Sequence, residues 1–411
     1  MKKLLSLSLA LFACTVAFAQ TAKFINTKGQ NIIGTDGKPF LIKGTNLGNW
    51  LVPEGYMFKF KKVNSQRLIN EALTEIVGPE EMKLFWRKFQ DIYVTEADIR
   101  FLKASGCNSI RIPFHYKLFT NEDYMGQNNP NRGFQLLDRV IGWCKKANLY
   151  VMLDMHCAPG GQTGDNIDDG NGFPFLFKSA ASRKLTAGIW KRIAAHYAKD
   201  PIILGYDLLN EPIAHYFDVN DLNPHLEPVY KEITAAIRTV DKNHILFLGS
   251  AQWDSNFKPL GPPFDPKLVY QFHKYWTEPT EKVIEEYVAF RTKYNVPIYV
   301  GETGENTDEW VRDFRIVCEK NNIGWHYWPY KKLDNTRGFM SFNQPANYDK
   351  VIDYTEKERS SFEDIRKVSL TAADREQMKK ALYDFLKSSK FVNCIPNKGY
   401  MEALGLKVPV K

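Results

Sequence analysis

Cysteine is scarce in this sequence, with six residues in a chain of 411, and no two of them form a C-x-x-C pair. Cysteines this far apart do not make the closely spaced framework of a small disulfide-rich protein or a clustered zinc site. A single disulfide stays open. Hydrophobic residues at 44% and charged residues at 25% are ordinary for a globular protein, so the chain can build a full core.

Long runs of one charge are also missing. The formal net charge is +8, but Lys and Arg alternate with Asp and Glu, and the longest basic run is the short stretch at 59–62. Nucleic-acid binding needs a concentrated basic face, so we expect no nucleic-acid partner. The chain shows no cofactor motif, and we expect no cofactor.

An apolar run at residues 4–18 follows two lysines and ends in Ala-Phe-Ala at 17–19. This pattern predicts that residues 1–19 are a signal peptide cleaved near Ala19, because the run is too short to span a membrane. We therefore expect an exported protein, periplasmic or extracellular, without membrane insertion. A lipoprotein site at Cys14 is the alternative, but the apolar run continues past that residue.

Eight short runs rich in β-branched and aromatic residues recur along the chain, separated by longer segments, most of them with helical periodicity. The predicted strands are 40–47, 109–114, 150–156, 203–209, 245–249, 269–275, 297–302 and 323–328. The predicted helices are 79–105, 133–147, 179–198, 228–240, 280–294, 307–321 and 371–389. The proline-rich segment 254–266 is predicted to be a loop, and 22–38 a hairpin with turns at Asn31 and Asp36-Gly37.

Apolar strands that alternate with helices are typical of a parallel α/β sheet covered on both faces. Eight such units predict a (β/α)8 TIM barrel formed by one catalytic domain, residues 20–411, with the N-terminal hairpin closing the barrel bottom. An open doubly wound sheet fits less well, because no G-x-G-x-x-G fingerprint follows the first predicted strand.

Polar or aromatic residues that could take part in catalysis or substrate binding lie in or just after six of these strands. They are Arg111, His156, Asn210, Glu211, His273, Tyr275, Glu302 and Trp328. One polar residue at a strand end can serve hydrogen bonding alone. A whole set indicates a site, because TIM barrels carry their chemistry at the carboxyl ends of the strands.

Glu211 and Glu302 are the central pair of this set. Cleavage of a glycosidic bond requires a proton for the leaving oxygen and a carboxylate that stabilises or traps the oxocarbenium-like centre. Two carboxylates on different strands that face one pocket can divide these two tasks. The alternatives without catalysis are structural roles: Glu211 could cap a turn, and Glu302 could be a negative charge at the N-terminus of a helix.

The ordered set resembles glycoside hydrolase family 5, a family of retaining (β/α)8 enzymes, over nearly the whole mature chain. The run Leu-Leu-Asn-Glu-Pro at 208–212 is similar to the acid/base signature of that family, and Val-Gly-Glu at 300–302 to its nucleophile strand. The family's other usual active-site positions are matched one by one by Arg111, His156, His273, Tyr275 and Trp328.

Segments 44–54 and 154–162, together with 324–331, look like the exo-β-1,3-glucanase branch of the family. In that branch an acid at the position of Glu54 contacts the terminal glucose. The chain departs from the branch at Asn49, where glycine is common, and at Thr303-Gly304, where an aromatic residue is usual. Both departures lie near the sugar-binding end, so linkage and exo mode stay open.

The chemistry and the resemblance together assign roles. Glu302 is expected to attack the anomeric carbon, and Glu211 to protonate the leaving oxygen and then activate water. The remaining expected substrate-site residues act as follows. Asn210 binds the sugar 2-hydroxyl, and His273 and Tyr275 orient the two carboxylates. Arg111 lowers the pKa of Glu302. Trp328 forms an apolar floor for the sugar, and His156 is included as a substrate-site residue because it matches a usual active-site position of the family.

Several alternatives stay open. The expected substrate is a β-1,3-glucan attacked in exo mode, followed by β-1,6-glucan, β-1,4-glucan attacked in endo mode, and mannan. A metal-dependent barrel hydrolase would need clustered ligands, and only His156 and His273 qualify, so we expect no metal. A carbohydrate-binding barrel without activity would be expected to lack one of the two glutamates. We expect a monomer.

Two further features are interpreted as secondary. Asp165, Asp168 and Asp169 invite an ion-binding interpretation, but Ile167 occupies a ligand position of the calcium-loop pattern, which favours a solvated loop on the substrate side. Some aromatic residues are expected to be sugar platforms and the others core. The candidates are Trp50, Tyr56, Phe58, Trp253, Trp276, Trp325 and Tyr330.

Overall fold

The computed structural model describes residues 24–367 and 369–410. Its strands are β1 Asn26–Lys28, β2 Asn31–Ile33, β3 Lys43–Asn46, β4 Ser109–His115, β5 Tyr150–Cys157, β6 Ile203–Asp207, β7 Ile245–Gly249, β8 Leu268–Lys274, β9 Ile298–Thr303, β10 Gly324–Tyr327, β11 Lys331–Leu333, β12 Met340–Phe342 and β13 Ile395–Pro396. Its helices are α1 Gln66–Val77, α2 Pro79–Ile92, α3 Glu96–Ser105, α4 Arg132–Ala147, α5 Ala180–Tyr197, α6 Val219–Leu222, α7 Leu226–Arg238, α8 Ala251–Asp254, α9 Glu285–Tyr294, α10 Asp308–Lys320, α11 Tyr348–Thr355, α12 Phe362–Lys367, α13 Ala372–Ser388 and α14 Lys398–Ala403.

Strands β3 to β10 close into a parallel barrel in which β10 pairs with β3. The predicted TIM barrel and all eight of its predicted strands are confirmed. The first strand differs most, because it begins at Lys43 and not at residue 40. Phe40 instead donates its backbone N–H to the carbonyl of Ile32, 2.8 Å away, and so belongs to the hairpin edge.

The N-terminal hairpin pairs β1 with β2 in antiparallel register. Ile25 and Ile32 pack against Met152, Leu204 and other side chains inside the lower barrel, so the hairpin covers the barrel bottom as predicted. The turn at Asp36-Gly37 is present, with Gly37 at φ 81°. The turn predicted at Asn31 is wrong, because that residue lies in β2 and the chain reverses at Gly29, where φ is 56°.

The predicted helix 79–105 is interrupted and forms α2 and α3. Thr95 caps the start of α3 in a capping box, because its side chain accepts a hydrogen bond from the backbone N–H of Asp98 and its own backbone N–H donates to the carboxylate of Asp98. The carbonyl of Tyr93 accepts a hydrogen bond from Lys331 at 2.6 Å and not from a following helical turn. Periodicity alone spans this break, because the apolar stripe continues through it.

The other predicted helices are present with ends shifted by a few residues, although the segment at 281–284 is a 3-10 turn before α9. The proline-rich loop is present as well, beginning at residue 255 after the single turn α8. Helices α1, α6, α8, α11, α12 and α14 were not predicted.

The basic run at 59–62 and the cysteine side chains were both considered in the sequence. Within the basic run, Lys59 pairs with Asp334 at 2.9 Å and Lys62 with Glu358 at 3.5 Å, so the run does not form a bare cationic patch. Thiols at 107, 144, 157 and 318 are buried and free.

No helix in the described ranges is both long and apolar enough to cross a membrane. The predicted signal peptide, with Cys14 and Ala19, lies outside the described residues.

Candidate active site

A cavity of about 660 Å³ opens where the barrel strands end. Seven of the nine predicted site residues line it: Glu54, His156, Glu211, His273, Tyr275, Glu302 and Trp328. The other two, Arg111 and Asn210, are fully buried, and neither lines the cavity. The fold therefore brings the predicted residues together in two layers. The seven residues that line the cavity form the lining layer, and the buried residues behind them, including Arg111 and Asn210, form the supporting layer.

Arg111, in the middle of β4, organises the supporting layer. Its guanidinium lies 2.7 Å from a carboxylate oxygen of Asp207, 3.1 Å from Asp154 and 2.5 Å from Glu302. It also donates to the side-chain oxygen of Asn210 at 2.8 Å. Burial lowers the pKa of Arg111, but the three carboxylates together raise it well above its usual range, so the buried guanidinium stays charged. Its contacts are therefore with protein groups, not with the cavity.

The orientation of Asp154 and His156 follows from the alternation of side chains along a β-strand. Asp154 and His156 are two residues apart on β5, so both point into the barrel. The carboxylate of Asp154 lies 2.8 Å from Nδ1 of His156, and Nε2 of the same ring lies 3.4 Å from the amide nitrogen of Asn210. Burial lowers the pKa of His156 to about 4, so this ring is neutral near pH 7.

Glu211 follows β6 in a left-handed backbone conformation with φ 46°. Its carbonyl accepts a hydrogen bond from Thr163, and Gln162 donates to the carbonyl of the preceding Asn210 at 2.9 Å. These two bonds hold the turn from outside. Oε1 of Glu211 lies 2.8 Å from Nδ1 of His273. Burial raises the pKa of Glu211 to about 7, which suits a group that gives up a proton near neutrality.

Glu302 lies on β9 and is held from three sides. Arg111 donates to Oε1, the hydroxyl of Tyr275 donates to Oε2 at 3.1 Å, and Nδ1 of His273 lies 3.9 Å from Oε2. Burial raises the pKa of Glu302, while His273 and Arg111 lower it. The predicted lowering by Arg111 is present, but burial outweighs it.

The two glutamates lie close together across the cavity. One oxygen of Glu211, one oxygen of Glu302 and a ring nitrogen of His273 all lie within 4.8 Å of one another. Burial lowers the pKa of His273 to about 3, so a neutral imidazole stands between the carboxyl groups.

Trp328, directly after β10, forms one wall of the cavity. Its indole stacks on the ring of His156, with centroids 5.7 Å apart and planes inclined by 7°, and its N–H donates to the hydroxyl of Tyr56 at 2.6 Å. A side chain at Gly48 would meet the indole, because an ideal Cβ there lies 2.7 Å from it. The glycine therefore makes room for the tryptophan.

Glu54 lies on the loop after β3 and is 5% exposed. Its backbone N–H donates to the side-chain oxygen of Asn49 at 3.1 Å, and Asn49 itself has φ 64°. Asparagine is one of the few residues that adopt this conformation readily, which accounts for its presence where glycine is common. Burial and the nearby glutamates raise the pKa of Glu54 well above its usual range.

The loop with three aspartates is more buried than predicted. Asp168 is 2% exposed and accepts hydrogen bonds from the backbone N–H groups of Thr163, Gly164 and Gly170. Its carboxylate therefore closes the loop and is not solvated. Ile167, between the aspartates, lines the cavity, so the loop does lie on the substrate side.

The aromatic candidates divide into two groups. Tyr56, Trp253 and Trp276 line the cavity. The remaining four are buried in the core: Trp50, Phe58, Trp325 and Tyr330.

Two groups of possible metal ligands share Glu302, one with Asp154 and His156 and the other with Glu211 and His273. The carboxylate that both groups share already contacts the guanidinium of Arg111. A second cation there would be repelled by that charge. We assign no metal site, and the expected absence of a metal stays a prediction.

Three supporting residues were not singled out from the sequence. Gln271 donates to Asp207 at 2.5 Å, and strand alternation could have indicated Gln271, which lies two residues before His273. Asp207 ends β6 and could have been found in the same way. Asp254 lies in the predicted proline-rich loop, and no sequence pattern pointed to it.

A closed (β/α)8 barrel that brings two glutamates together at its strand ends has the architecture of a TIM-barrel glycosidase. The family model Cellulase (glycosyl hydrolase family 5) matches residues 70–334. The chain therefore belongs to glycosyl hydrolase family 5, as its motifs indicated.

Three relatives similar in sequence to this chain carry different names. A β-xylosidase of Phanerodontia chrysosporium is 34% identical over 305 residues, which cover 72% of this chain and 60% of the relative. Endoglucanase C of Acetivibrio thermocellus is 27% identical over 316 residues, covering 62% and 89%. A glucan 1,3-beta-glucosidase of Candida oleophila is 29% identical over 256 residues, covering 57% and 58%. The match thus spans less than two thirds of the first and third relatives.

Solved structures agree on the fold. The crystal structure of an endogalactoceramidase superposes with a TM-score of 0.58 at 17% identity, covering 87% of this chain and 84% of the other. At this identity the similarity concerns the barrel and not the substrate.

Proposed function

We propose that this protein is a retaining β-glycoside hydrolase that uses double displacement. Glu302 is the nucleophile and Glu211 the general acid and base. The observation that carries the proposal is the short distance between the two carboxyl groups, with oxygens within 4.8 Å. Retaining enzymes hold their carboxyl groups about 5–5.5 Å apart, whereas inverting enzymes leave about 6.5–9.5 Å for a water molecule.

The unequal surroundings of the two glutamates support this division of labour. Glu302 contacts a guanidinium and a phenol, which favour the ionised form that a nucleophile needs. Glu211 has no contact with a permanent cation among its described hydrogen bonds, and its raised pKa favours the protonated form that an acid needs. The same fold thus separates the protonation states of two identical side chains.

The remaining residues are proposed to support this reaction. Asn210 is fully buried between Arg111 and His156 and does not line the cavity, so its proposed contact with the sugar 2-hydroxyl rests on the family resemblance of the segment that contains Glu211. Tyr275 keeps Glu302 ionised and oriented. Trp328 provides the apolar wall against which the C–H face of a pyranose packs.

We propose a β-glucan substrate, and within that class a β-1,3-glucan attacked at its end. The glucan 1,3-beta-glucosidase among the relatives supports the linkage. The buried carboxyl of Glu54, whose Oε1 has no hydrogen-bond partner among the described residues, supports recognition of a sugar hydroxyl on one side of the nucleophile. We also propose that residues 20–411 form one exported, monomeric catalytic domain.

The substrate assignment is tested by incubating the purified protein with laminarin, pustulan, carboxymethylcellulose and mannan and sizing the products. We expect glucose from laminarin and little release from the other three. Aryl β-glucoside and aryl β-xyloside are compared in parallel, because a β-xylosidase is among the relatives. Oligosaccharides from carboxymethylcellulose would favour the endo-β-1,4 alternative. A preference for the xyloside would contradict the proposed β-glucan substrate.

The raised pKa of Glu211 gives a prediction for pH dependence. An acid must hold its proton, so kcat/KM on a glucoside with a poor leaving group should fall as pH rises through about 7. The acid limb reflects protonation of Glu302 and should lie above the usual glutamate range, because burial raises that pKa. A flat profile from about pH 6 to 9 on this substrate would contradict the assignment of Glu211.

A further inference from the structure

A third carboxyl group stands behind the acid/base glutamate. Asp254, at the end of the turn after β7, is fully buried, and its Oδ2 lies 3.2 Å from Nε2 of His273. The opposite nitrogen of that ring, Nδ1, lies 2.8 Å from Oε1 of Glu211. Asp254, His273 and Glu211 therefore form a chain of three groups, of which only the last two line the cavity.

The local backbone is built around this chain. Gln252, Trp253 and Asp254 all have φ between 51° and 60°, a left-handed conformation that is unfavourable for residues other than glycine. An ideal Cβ at Gly249 would lie 2.5 Å from Oδ1 of Asp254, so that glycine makes room for the carboxyl group. A strained turn of this kind persists where the surrounding structure requires it, and such turns cluster at functional sites.

The surroundings of Asp254 favour a neutral carboxylic acid. Oδ1 of Asp254 and Nε2 of His273 each lack a hydrogen-bond partner among the described residues, although Nε2 lies 3.2 Å from Oδ2 of Asp254. Oδ2 receives only a long bond of 3.3 Å from the backbone N–H of Glu211. Burial and the nearby Asp207 and Glu211 raise the pKa of Asp254 well above its usual range. A carboxyl group kept neutral by its site can act as a hydrogen-bond donor.

Another buried pair, Asp241 with His244, shows the opposite arrangement. Asp241 accepts hydrogen bonds from the hydroxyl of Tyr206 at 2.8 Å and the backbone N–H of Asn243 at 2.7 Å, and Nδ1 of His244 lies 2.5 Å away. These donors lower the pKa of Asp241. The protein thus offers an ionised aspartate beside a histidine as an internal comparison, at the amino end of β7 and outside the cavity lining.

We propose that Asp254 is a positioning residue for the acid/base glutamate, and that it acts by donating a proton in a hydrogen bond to Nε2 of His273. The proton of the neutral ring is then on Nδ1, which donates to Oε1 of Glu211. Oε2 of Glu211 is left to carry the proton that goes to the leaving oxygen. After that transfer the same Nδ1–H stabilises the carboxylate that activates water.

This inference rests on the proposed acid/base role of Glu211. The charged and titratable groups around Asp254 and Glu211 also belong to the rest of the site. Around Asp254 they are Asp207, Arg111, Tyr230 and Tyr287, and around Glu211 they are His156, Arg111, Asp154, Asp165, Glu54, Tyr275 and Glu302. None of these groups is altered by the substitutions proposed for Asp254 and Asp241.

Two substitutions separate a neutral donor from an ionised acceptor. Asp254→Asn keeps a neutral donor, so kcat/KM on poor leaving groups should stay within about 3-fold of the unmodified enzyme. Asp254→Leu removes the donor, and the ring proton is free to move to Nε2. Nδ1 then no longer stabilises ionised Glu211, so the alkaline limb should shift upward by about one pH unit, with at least a 10-fold loss on poor leaving groups.

The tautomer is read directly in the resting protein. ¹⁵N NMR of histidine-labelled protein, with His273 assigned by its loss in His273→Gln, should show the proton on Nδ1 in the unmodified and Asp254→Asn proteins. This measurement needs no turnover, so it separates failure of this inference from failure of the proposed function. Asp241→Asn is the matched control, and it should leave the pH limb in place while lowering the melting temperature.

Three results would overturn the proposal. The first is a proton on Nε2 in the unmodified protein. The second is an Asp254→Asn enzyme as impaired as Asp254→Leu, which would mean that a charge is required. The third is an Asp254→Leu enzyme that loses activity equally on all leaving groups with an unmoved pH limb, which is the signature of a structural role. If the leucine variant does not fold, the asparagine variant and the NMR of the unmodified protein still decide.

Discussion

Substitution of Glu302 by alanine is expected to lower turnover by at least about 10⁴-fold on every glycoside, whatever its leaving group, because no covalent intermediate can form. This corresponds to more than about 5 kcal/mol of transition-state stabilisation. The loss should not depend on stability, since the neighbouring Arg111 retains Asp154 and Asp207 as partners. Glu309→Gln, an exposed glutamate on α10, serves as control and should be fully active.

The role of Glu302 can also be shown without mutation. A 2-deoxy-2-fluoro glycosyl fluoride slows both chemical steps, but its good leaving group keeps the first step comparatively fast, so the glycosyl ester accumulates. Peptide mapping should find the sugar on Glu302. Proton NMR should show the β-anomer as the first product from a β-glycoside. A label on another residue, or the α-anomer first, would remove Glu302 from the nucleophile position.

Substitution of Glu211 by alanine should produce a loss that depends on the leaving group. On glycosides with poor leaving groups we expect a decrease of about 10²–10⁴-fold, because departure of the alkoxide requires the proton that Glu211 supplies. On activated aryl glycosides, whose departure needs little protonation, the first step should be slowed less than about 10-fold.

Azide provides the second measurement on this variant. A small anion can enter the space left by the carboxyl group and intercept the glycosyl-enzyme, so azide should restore part of the turnover and yield a β-glycosyl azide. Glu211→Gln should show weaker rescue, because the amide still fills that space. Equal losses on both classes of substrate, with no azide adduct, would move the acid role to another residue.

Much of this site could be predicted from the sequence, because strand alternation and strand ends follow rules that act locally. A residue two positions before another on a β-strand points to the same side, which relates Asp154 to His156 and Gln271 to His273. In a parallel barrel all carboxyl ends meet at one rim. Recognition of the eight strands was therefore enough to predict that Glu211 and Glu302 share a cavity.

The positions of Asp254 and Arg111 could not be predicted in the same way. Asp254 reaches His273 only because three residues in a row adopt left-handed backbone angles and Gly249 leaves space, and neither condition is visible in the pattern of apolar residues. Arg111 was grouped with the substrate-binding residues, yet it lies fully buried among three carboxylates. Which side of a polar network faces the cavity is decided by packing.

The sequence by itself determined the barrel, the order of its strands and the two glutamates, because these depend on periodicity and on residue type at strand ends. Only the tertiary structure decided how near the glutamates lie, which groups are desolvated and how each carboxyl group is hydrogen-bonded. The raised pKa of Glu211 arises from burial, and the opposed influences on the pKa of Glu302 arise from burial and from side chains on β4 and β8, more than 25 residues away along the chain. Electrostatic effects depend on distance in space and on the local dielectric, which sequence spacing does not specify.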